Sequence, residues 1–187
     1  MPATSPPERI DAGPIVLRRA RPEDAEAIAE AVGHNLEHIR AWMPWATPDA
    51  ATAEAQRDRL RDTQWEDGSE YGYLMVSRDD DAVLGACSMM RRIGAGGIEI
   101  GYWVHLDHTG RGIATAAAGA LTSAALALDD VERVEIHCDE ANLSSQAVPK
   151  KLGYTLDAVV DEVIDAPAKT GRTMIWVMRP GLLDAEA

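Results

Sequence analysis

Apolar positions along the chain change their spacing several times, and each change marks the boundary of an element. Residues 14–18 (Pro-Ile-Val-Leu-Arg) read as a short strand, and Arg21-Pro22-Glu23-Asp24 opens a helix with proline and acids in its first turn. Between 34 and 45, Leu36, Ile39, Trp42 and Met43 recur at helical spacing; Pro44 and Pro48 end that segment before a further helix over 51–65. Two strand-like runs, 71–77 and 82–90, are joined by a charged turn. A third run, 98–105, follows the glycine turn at Gly94, Gly96 and Gly97. The three form an antiparallel meander.

Residues 112–128 carry Ile113, Ala116, Ala117, Ala120, Leu121, Ala124 and Leu128, an apolar stripe of mostly small side chains suited to close packing of a helix on a sheet. A strand over 131–138, a shorter helix over 142–152 closed by Gly153, and strands over 154–164 and 172–178 complete the pattern. The order β, helices, βββ, α, β, α, ββ contains no internal repeat. It predicts an α/β (α+β) fold with a central mixed, mostly antiparallel sheet of about six to seven strands and helices on both faces. We expect one domain over 13–180, with a flexible leader at 1–12 and a tail at 181–187.

Composition narrows the function. The 187 residues, 46% of them hydrophobic, suffice for one sizeable core. A net charge of −13 and a pI near 4.7 repel phosphate backbones and anionic lipid, so neither nucleic acid nor membrane is an expected partner. No run approaches the length of a membrane span and the first residues lack a signal-peptide pattern, which predicts a cytoplasmic protein. Cys87 and Cys138 fall far apart in apolar strand runs, as buried free thiols in a reducing compartment do.

The segment Asp107-His-Thr-Gly-Arg-Gly-Ile-Ala-Thr115 sets a glycine-rich turn between a strand and a long helix. The unpaired N–H groups and dipole of a helix N-terminus favour a phosphate there, and Gly110 and Gly112 would let the backbone come close while Arg111 adds charge. A glycine turn before a helix is also often only a turn. The segment has neither the Lys-Ser or Lys-Thr of a P-loop nor Gly-x-Gly-x-x-Gly, which disfavours an ATPase or a dehydrogenase.

Thr109-Gly-Arg-Gly-Ile-Ala114 resembles the pyrophosphate loop of the GNAT acyltransferases, with Thr109 where that family has Gln or Arg. Three further stretches extend the resemblance over about residues 15–177. Glu99-Ile-Gly-Tyr-Trp-Val104 is similar to the strand entering the loop, and Asn142-Leu-Ser-Ser145 with Lys151-Leu-Gly-Tyr154 to the second cofactor helix. Asn35-Leu36 with Trp42-Met-Pro-Trp45 is similar to the segment before the acceptor cleft in the RimJ/RimL-like group of ribosomal-protein N-terminal acetyltransferases.

The resemblance implies a sheet splayed at the cofactor, acetyl-CoA as acyl donor, and direct transfer to a primary amine, either a protein N-terminus or a small molecule. It further implies that backbone groups of Trp103, Val104 and His105 hold the pantetheine arm, with the Val104 N–H toward the thioester oxygen. The amides of Gly110, Arg111, Gly112, Ile113, Ala114 and Thr115 then take the pyrophosphate, and Asn142 meets the arm from the other side.

The amine needs a proton acceptor, and Glu99 is the first candidate, ahead of Asp161 and Glu162, because it alternates with the apolar Ile98 and Ile100. Many family members protonate the departing thiolate with a tyrosine seven residues after the Asn of the second helix; here that position is Pro149. Ser145 matches the group's alternative acid, although Ser144 and Ser145 are also good helix caps. Trp42, Trp45 and Tyr102 are expected to wall the acceptor cleft, and Trp65 and Trp176 to pack in the core. His34 and His38 sit four apart but lack further ligands, so no metal is expected. Two alternatives remain open from the sequence: another donor such as succinyl-CoA, met by a cation such as Arg40 or Arg91, and a non-catalytic CoA-binding sensor. Exposed strand edges and the Trp-rich segment also make a homodimer an expectation.

Overall fold

The computed structural model describes residues 5–61 and 64–181, which leaves part of the expected leader, most of the tail and two positions of the 51–65 helix outside the described residues. Its strands are β1 (Arg9–Ala12), β2 (Ile15–Arg19), β3 (Glu70–Ser77), β4 (Val83–Met90), β5 (Gly97–Val104), β6 (Arg133–Asp139), β7 (Thr155–Asp161) and β8 (Arg172–Met178). They form one sheet in the order β1-β2-β3-β4-β5-β6-β8-β7. Every neighbouring pair is antiparallel except β5 with β6.

The sheet has one strand more than the hydrophobic pattern predicts. β1 lies inside the segment expected to be a flexible leader, and it pairs with β2 from Arg9 opposite Arg18 to Ala12 opposite Ile15. A two-residue turn explains it: Gly13 takes a left-handed φ of 67° and Pro14 follows, closing a tight hairpin that places Ala12 in the core. The segment is further tied down where the Tyr73 hydroxyl donates to the Pro7 carbonyl at 2.8 Å.

The helices are α1 (Ala25–His34), α2 (Leu36–Arg40), α3 (Ala53–Arg61), α4 (Gln64–Asp67), α5 (Ile113–Leu126) and α6 (Leu143–Lys151). The long apolar run over 71–76 arises because β3 is buried on both faces. Tyr71, Tyr73 and Met75 join the core beneath α5, while Leu74 and Val76 join Val16, Ala25, Ile28, Val32 and Leu60 beneath α1 and α3. A fully buried side chain such as Met75 or Ile98 contributes about 1.5–3 kcal/mol through burial. Helices therefore cover both faces. α5 presents Ala117, Ala118, Leu121 and Ala125 to the sheet, all fully buried, and its small side chains bring the helix axis close to β4 and β5.

The helical segment expected over 34–45 is interrupted. Asn35, 1% exposed, ends α1 and begins α2, and after Arg40 the chain turns through Trp42 and Trp45. Asn35 is spent on tertiary bonds: its amide donates to the Ala31 carbonyl at 2.7 Å and its oxygen accepts from the Leu106 N–H at 2.6 Å.

Candidate active site

The Asn35 bond holds the first residue of a short 3-10 turn, Leu106–His108, that leads from β5 into the glycine loop. Thr109 closes that turn by donating its hydroxyl to the Leu106 carbonyl at 2.9 Å, so the residue that departs from the family pattern shapes the loop's entry. Gly110 and Gly112 then adopt φ of 74° and 77°, which L side chains avoid, and a Cβ built on either would meet nothing within 4 Å. Open space thus lies in front of both glycines. Behind them the N–H groups of Ile113, Ala114 and Thr115 occupy the first turn of α5, where no preceding helical carbonyl exists to receive them. The Arg111 guanidinium stands beside the loop, 3.4 Å from the His108 ring, and the His105 and His34 rings are adjacent.

β5 approaches this loop along a close contact with β4. A Cβ at Gly85 would collide with the Trp103 carbonyl, so only glycine permits β4 to lie against the Trp103–Val104 backbone. On its other side β5 leaves its neighbour. β5 and β6 pair only at Gly97 with Arg133, Ile98 with Val134, and Glu99 with Glu135. Beyond Glu99 the two parallel strands diverge, exposing a slot between Ile100–Val104 of one and Ile136–Asp139 of the other.

The faces of that slot differ chemically. On the α5 and α6 side, Tyr102 packs against the larger core and its hydroxyl lies 3.2 Å from both the carbonyl and the Oγ of Ser145. Pro149 explains the carbonyl's availability: in a helix Ser145 would accept from the N–H of residue 149, and proline has none. α6 consequently runs through Pro149 without losing a bonding partner. Burial raises the Tyr102 phenol well above its ordinary range, and the Ser145 bond opposes this only partly, so Tyr102 remains a proton donor at neutral pH. Asn142, rather than Ser144 or Ser145, caps α6, its Oδ1 accepting from the Ser145 N–H at 3.1 Å.

On the opposite face lie Glu99, Glu135 and His137. Arg92 grips Glu99 with two bonds of 2.7 and 2.6 Å, and Arg133 Nε donates to Glu135 at 2.7 Å while its other nitrogens hold the Ile93 and Ala95 carbonyls. His137 Nε2 is 2.6 Å from Glu135 and its Nδ1 is 3.9 Å from Glu99. Burial works against a charged Glu135, but the bonds from His137 and Arg133 prevail and hold its carboxyl below the usual range.

The wall of this face is built by the segment after β7. Asp139 accepts from the N–H groups of Ala141, Thr170 and Gly171 and from the Thr170 hydroxyl, and the Ala168 N–H donates to the Ala41 carbonyl beside Trp42. Trp45, in the same turn, is 44% exposed.

The structure therefore brings Glu99, Trp103, Val104, His105 and the glycine loop along one strand and its exit, and sets Ser145 and Asn142 across the slot. Tyr102, expected in the acceptor wall, instead lies on the helix side against Ser145. Of the cations considered for a longer donor, Arg91 is bonded twice to Asp130 at 2.8 and 3.0 Å and Arg40 pairs with Glu37. Among the described residues no group of three or more His, Cys, Asp or Glu side chains is placed to hold a metal ion. Sequence reading missed Arg92, Glu135 and His137. The signal was present in β6, where Arg133, Glu135, His137 and Asp139 alternate with Val134, Ile136 and Cys138.

Comparison with known proteins gives a consistent result. Residues 15–155 match the model of the acetyltransferase (GNAT) domain. The Bacillus subtilis (strain 168) protein YdaF, provisionally named a ribosomal N-acetyltransferase, is 30% identical over 147 residues, which is 75% of this chain and 77% of YdaF. RimL, a ribosomal L7/L12 alpha-N-protein acetyltransferase solved with coenzyme A, superposes with a TM-score of 0.82 at 21% identity over 92% of this chain and 98% of its own. MccE, a microcin C7 self-immunity acetyltransferase solved with acetyl-CoA and AMP, gives 0.82 at 18% identity over 94% and 98%.

Proposed function

The chain belongs to the GNAT acetyltransferase family, which transfers acetyl groups from acetyl-CoA to amines, and on that premise we propose that its acceptor is the α-amino group of a protein N-terminus. The observation that carries the choice of acceptor is the similarity to YdaF over three quarters of both chains. A face rich in carboxylates beside the slot suits an incoming ammonium group.

Acetyl-CoA brings an acyl group already activated as a thioester, and the residues of this chain fit it. We assign the pyrophosphate to the Gly110–Gly112 turn, with Arg111 and the amides of Ile113, Ala114 and Thr115, because positive φ at both glycines leaves the approach open. The pantetheine arm falls to the backbone of Trp103, Val104 and His105 and to Asn142. Trp42 and Trp45 flank the acceptor.

Direct transfer requires a proton acceptor where the amine enters and a donor where the thiolate leaves. Glu99 stands on one face of the slot and draws in the ammonium; Ser145 stands on the other and protonates the thiolate, its hydroxyl oriented by Tyr102. Acetyl rather than succinyl is the donor group in this reading, since Arg40 and Arg91 already have carboxylate partners. The free edge strand β7, with Leu156 and Val159 exposed, supports a homodimer, and we place the enzyme in the cytoplasm.

Calorimetric titration of acetyl-CoA into the wild type and into Gly112→Glu tests the donor site, and mass spectrometry of short peptides beginning with Ser or Ala tests the acceptor. We expect binding that the variant abolishes while it stays folded, and acetylation confined to the α-amine. Acetylation of free amino acid amides in preference to every peptide would replace the protein N-terminus with a small-molecule acceptor.

A further inference from the structure

We infer that His137, held by Glu135, is the base that takes the proton from the acceptor amine, with Glu99 serving as the carboxylate that anchors the ammonium. The inference rests on the acetyltransferase reading and assigns a residue to one of its steps. Both oxygens of Glu99 are engaged by Arg92 at 2.7 and 2.6 Å, so each already accepts a charge-assisted bond and Glu99 is held as an anchor. His137 has the opposite arrangement. Its Nε2 is bound to Glu135 at 2.6 Å, so in the neutral ring that nitrogen carries the proton and the Nδ1 lone pair is free.

That lone pair faces Glu99 across 3.9 Å, a gap that one nitrogen can span by donating a hydrogen bond to each side. His137 is two residues beyond Glu135, the last β6 residue paired with β5, so it lies where the slot opens. Its side chain is 20% exposed, enough to be reached. Glu135 thereby acts on His137 as a carboxylate acts on a catalytic histidine elsewhere, fixing the tautomer and the orientation of the ring.

The charged and titratable groups around the ring are Glu99 and Arg92 from the β4 and β5 side, and Glu135 and Arg133 from its own strand. Across β8, Ile175 is its register partner, and Thr173 on that strand bonds to Glu162. Asp139, next on the same face, is consumed by Thr170 and Gly171. The protons balance. The ammonium loses one N–H proton to Nδ1, and its freed lone pair forms the C–N bond. As the C–S bond breaks, the thiolate receives a proton through Ser145. The second proton lost from nitrogen restores the Ser145 hydroxyl by way of solvent and His137 releases its own, so ammonium and thioester yield amide, thiol and one net proton.

The test is the pH dependence of kcat/KM for a short Ser-initiated peptide with wild type and His137→Gln, alongside ¹⁵N NMR of the wild-type imidazole. Glutamine keeps a donor for Glu135 but cannot accept the proton. We expect the variant to bind acetyl-CoA as the wild type does, to lose about 10²- to 10⁴-fold at neutral pH, and to move its acid limb up toward the peptide's own α-amino pKa of about 7.7–8. NMR should show the Nε2–H tautomer. An unmoved acid limb, or an Nδ1–H tautomer, overturns the assignment. If the wild type acetylates no peptide, the proposed acceptor fails instead, and the tautomer still decides the role of His137 because it needs no turnover.

Discussion

Removing the Tyr102 hydroxyl should cost stability chiefly because residue 149 is a proline. The Ser145 carbonyl sits in the first turn of α6, lacks the N–H that an ordinary residue at 149 would donate, and accepts from Tyr102 at 3.2 Å. In Tyr102→Phe that carbonyl loses its partner. An unsatisfied buried acceptor costs about 1–3 kcal/mol, and because this carbonyl is only part-buried and 3.2 Å is long for an O–H···O bond we expect the lower part of that range, ~1–2 kcal/mol. For a domain of this size this corresponds to a loss of roughly 2–8 °C in Tm. Pro149→Ala restores the N–H, which then takes the Ser145 carbonyl within the helix.

On the Pro149→Ala background, therefore, Tyr102→Phe should cost less, with a coupling on the order of 1 kcal/mol. Urea denaturation of the wild type, both single variants and the double variant, read by far-UV circular dichroism, measures this directly. Equal costs of Tyr102→Phe in the two backgrounds would falsify the claim that Tyr102 substitutes for the missing donor. A catalytic consequence separates from the stability one: if Tyr102 also orients the Ser145 hydroxyl, the double variant recovers stability but not kcat.

Two further outcomes follow from the geometry. Gly85→Ala should destabilise by about 1–3 kcal/mol or more, because the added methyl group meets the Trp103 carbonyl and the strands must separate; a thermal melt within 1 °C of wild type would show that β4 and β5 do not pack as described. Asp139 supplies a pH dependence. Burial opposes its charge, but the bonds from Ala141, Thr170 and Gly171 hold its carboxyl below the ordinary value of about 3.9. Its stabilisation is thus complete above that value and is lost as pH falls through the lower folded-state value. Asp139→Asn should melt lower at pH 7, by about 1–3 kcal/mol, and lose less than the wild type on acidification; parallel acid profiles of the two proteins would remove Asp139 as the source.

Much of this architecture is carried by short-range chemistry. The apolar periods at 71–77, 82–90 and 98–105 place the central meander, the alanine stripe of α5 places the long helix, and Gly110 and Gly112 place the loop between them. Each is determined by residues within a few positions of one another, through strand alternation, helix propensity or the backbone freedom of glycine. β1 escaped because four residues are too few for a period to show, and the Gly13–Pro14 turn that creates it resembles the end of a disordered segment.

What depended on the tertiary structure is pairing across strands. Sequence alone marks Glu99 as a polar residue on a buried strand, and Ser145 as a hydroxyl at a helix start. It contains nothing that joins Glu99 to Arg92, moves Tyr102 from the acceptor wall to the Ser145 carbonyl, or sets His137 between two carboxylates. Those contacts arise from sheet register and from the divergence of β5 and β6 after three paired residues, which no local pattern encodes. The elements follow from local preference, while the chemistry of the slot follows from which side chains the sheet brings face to face.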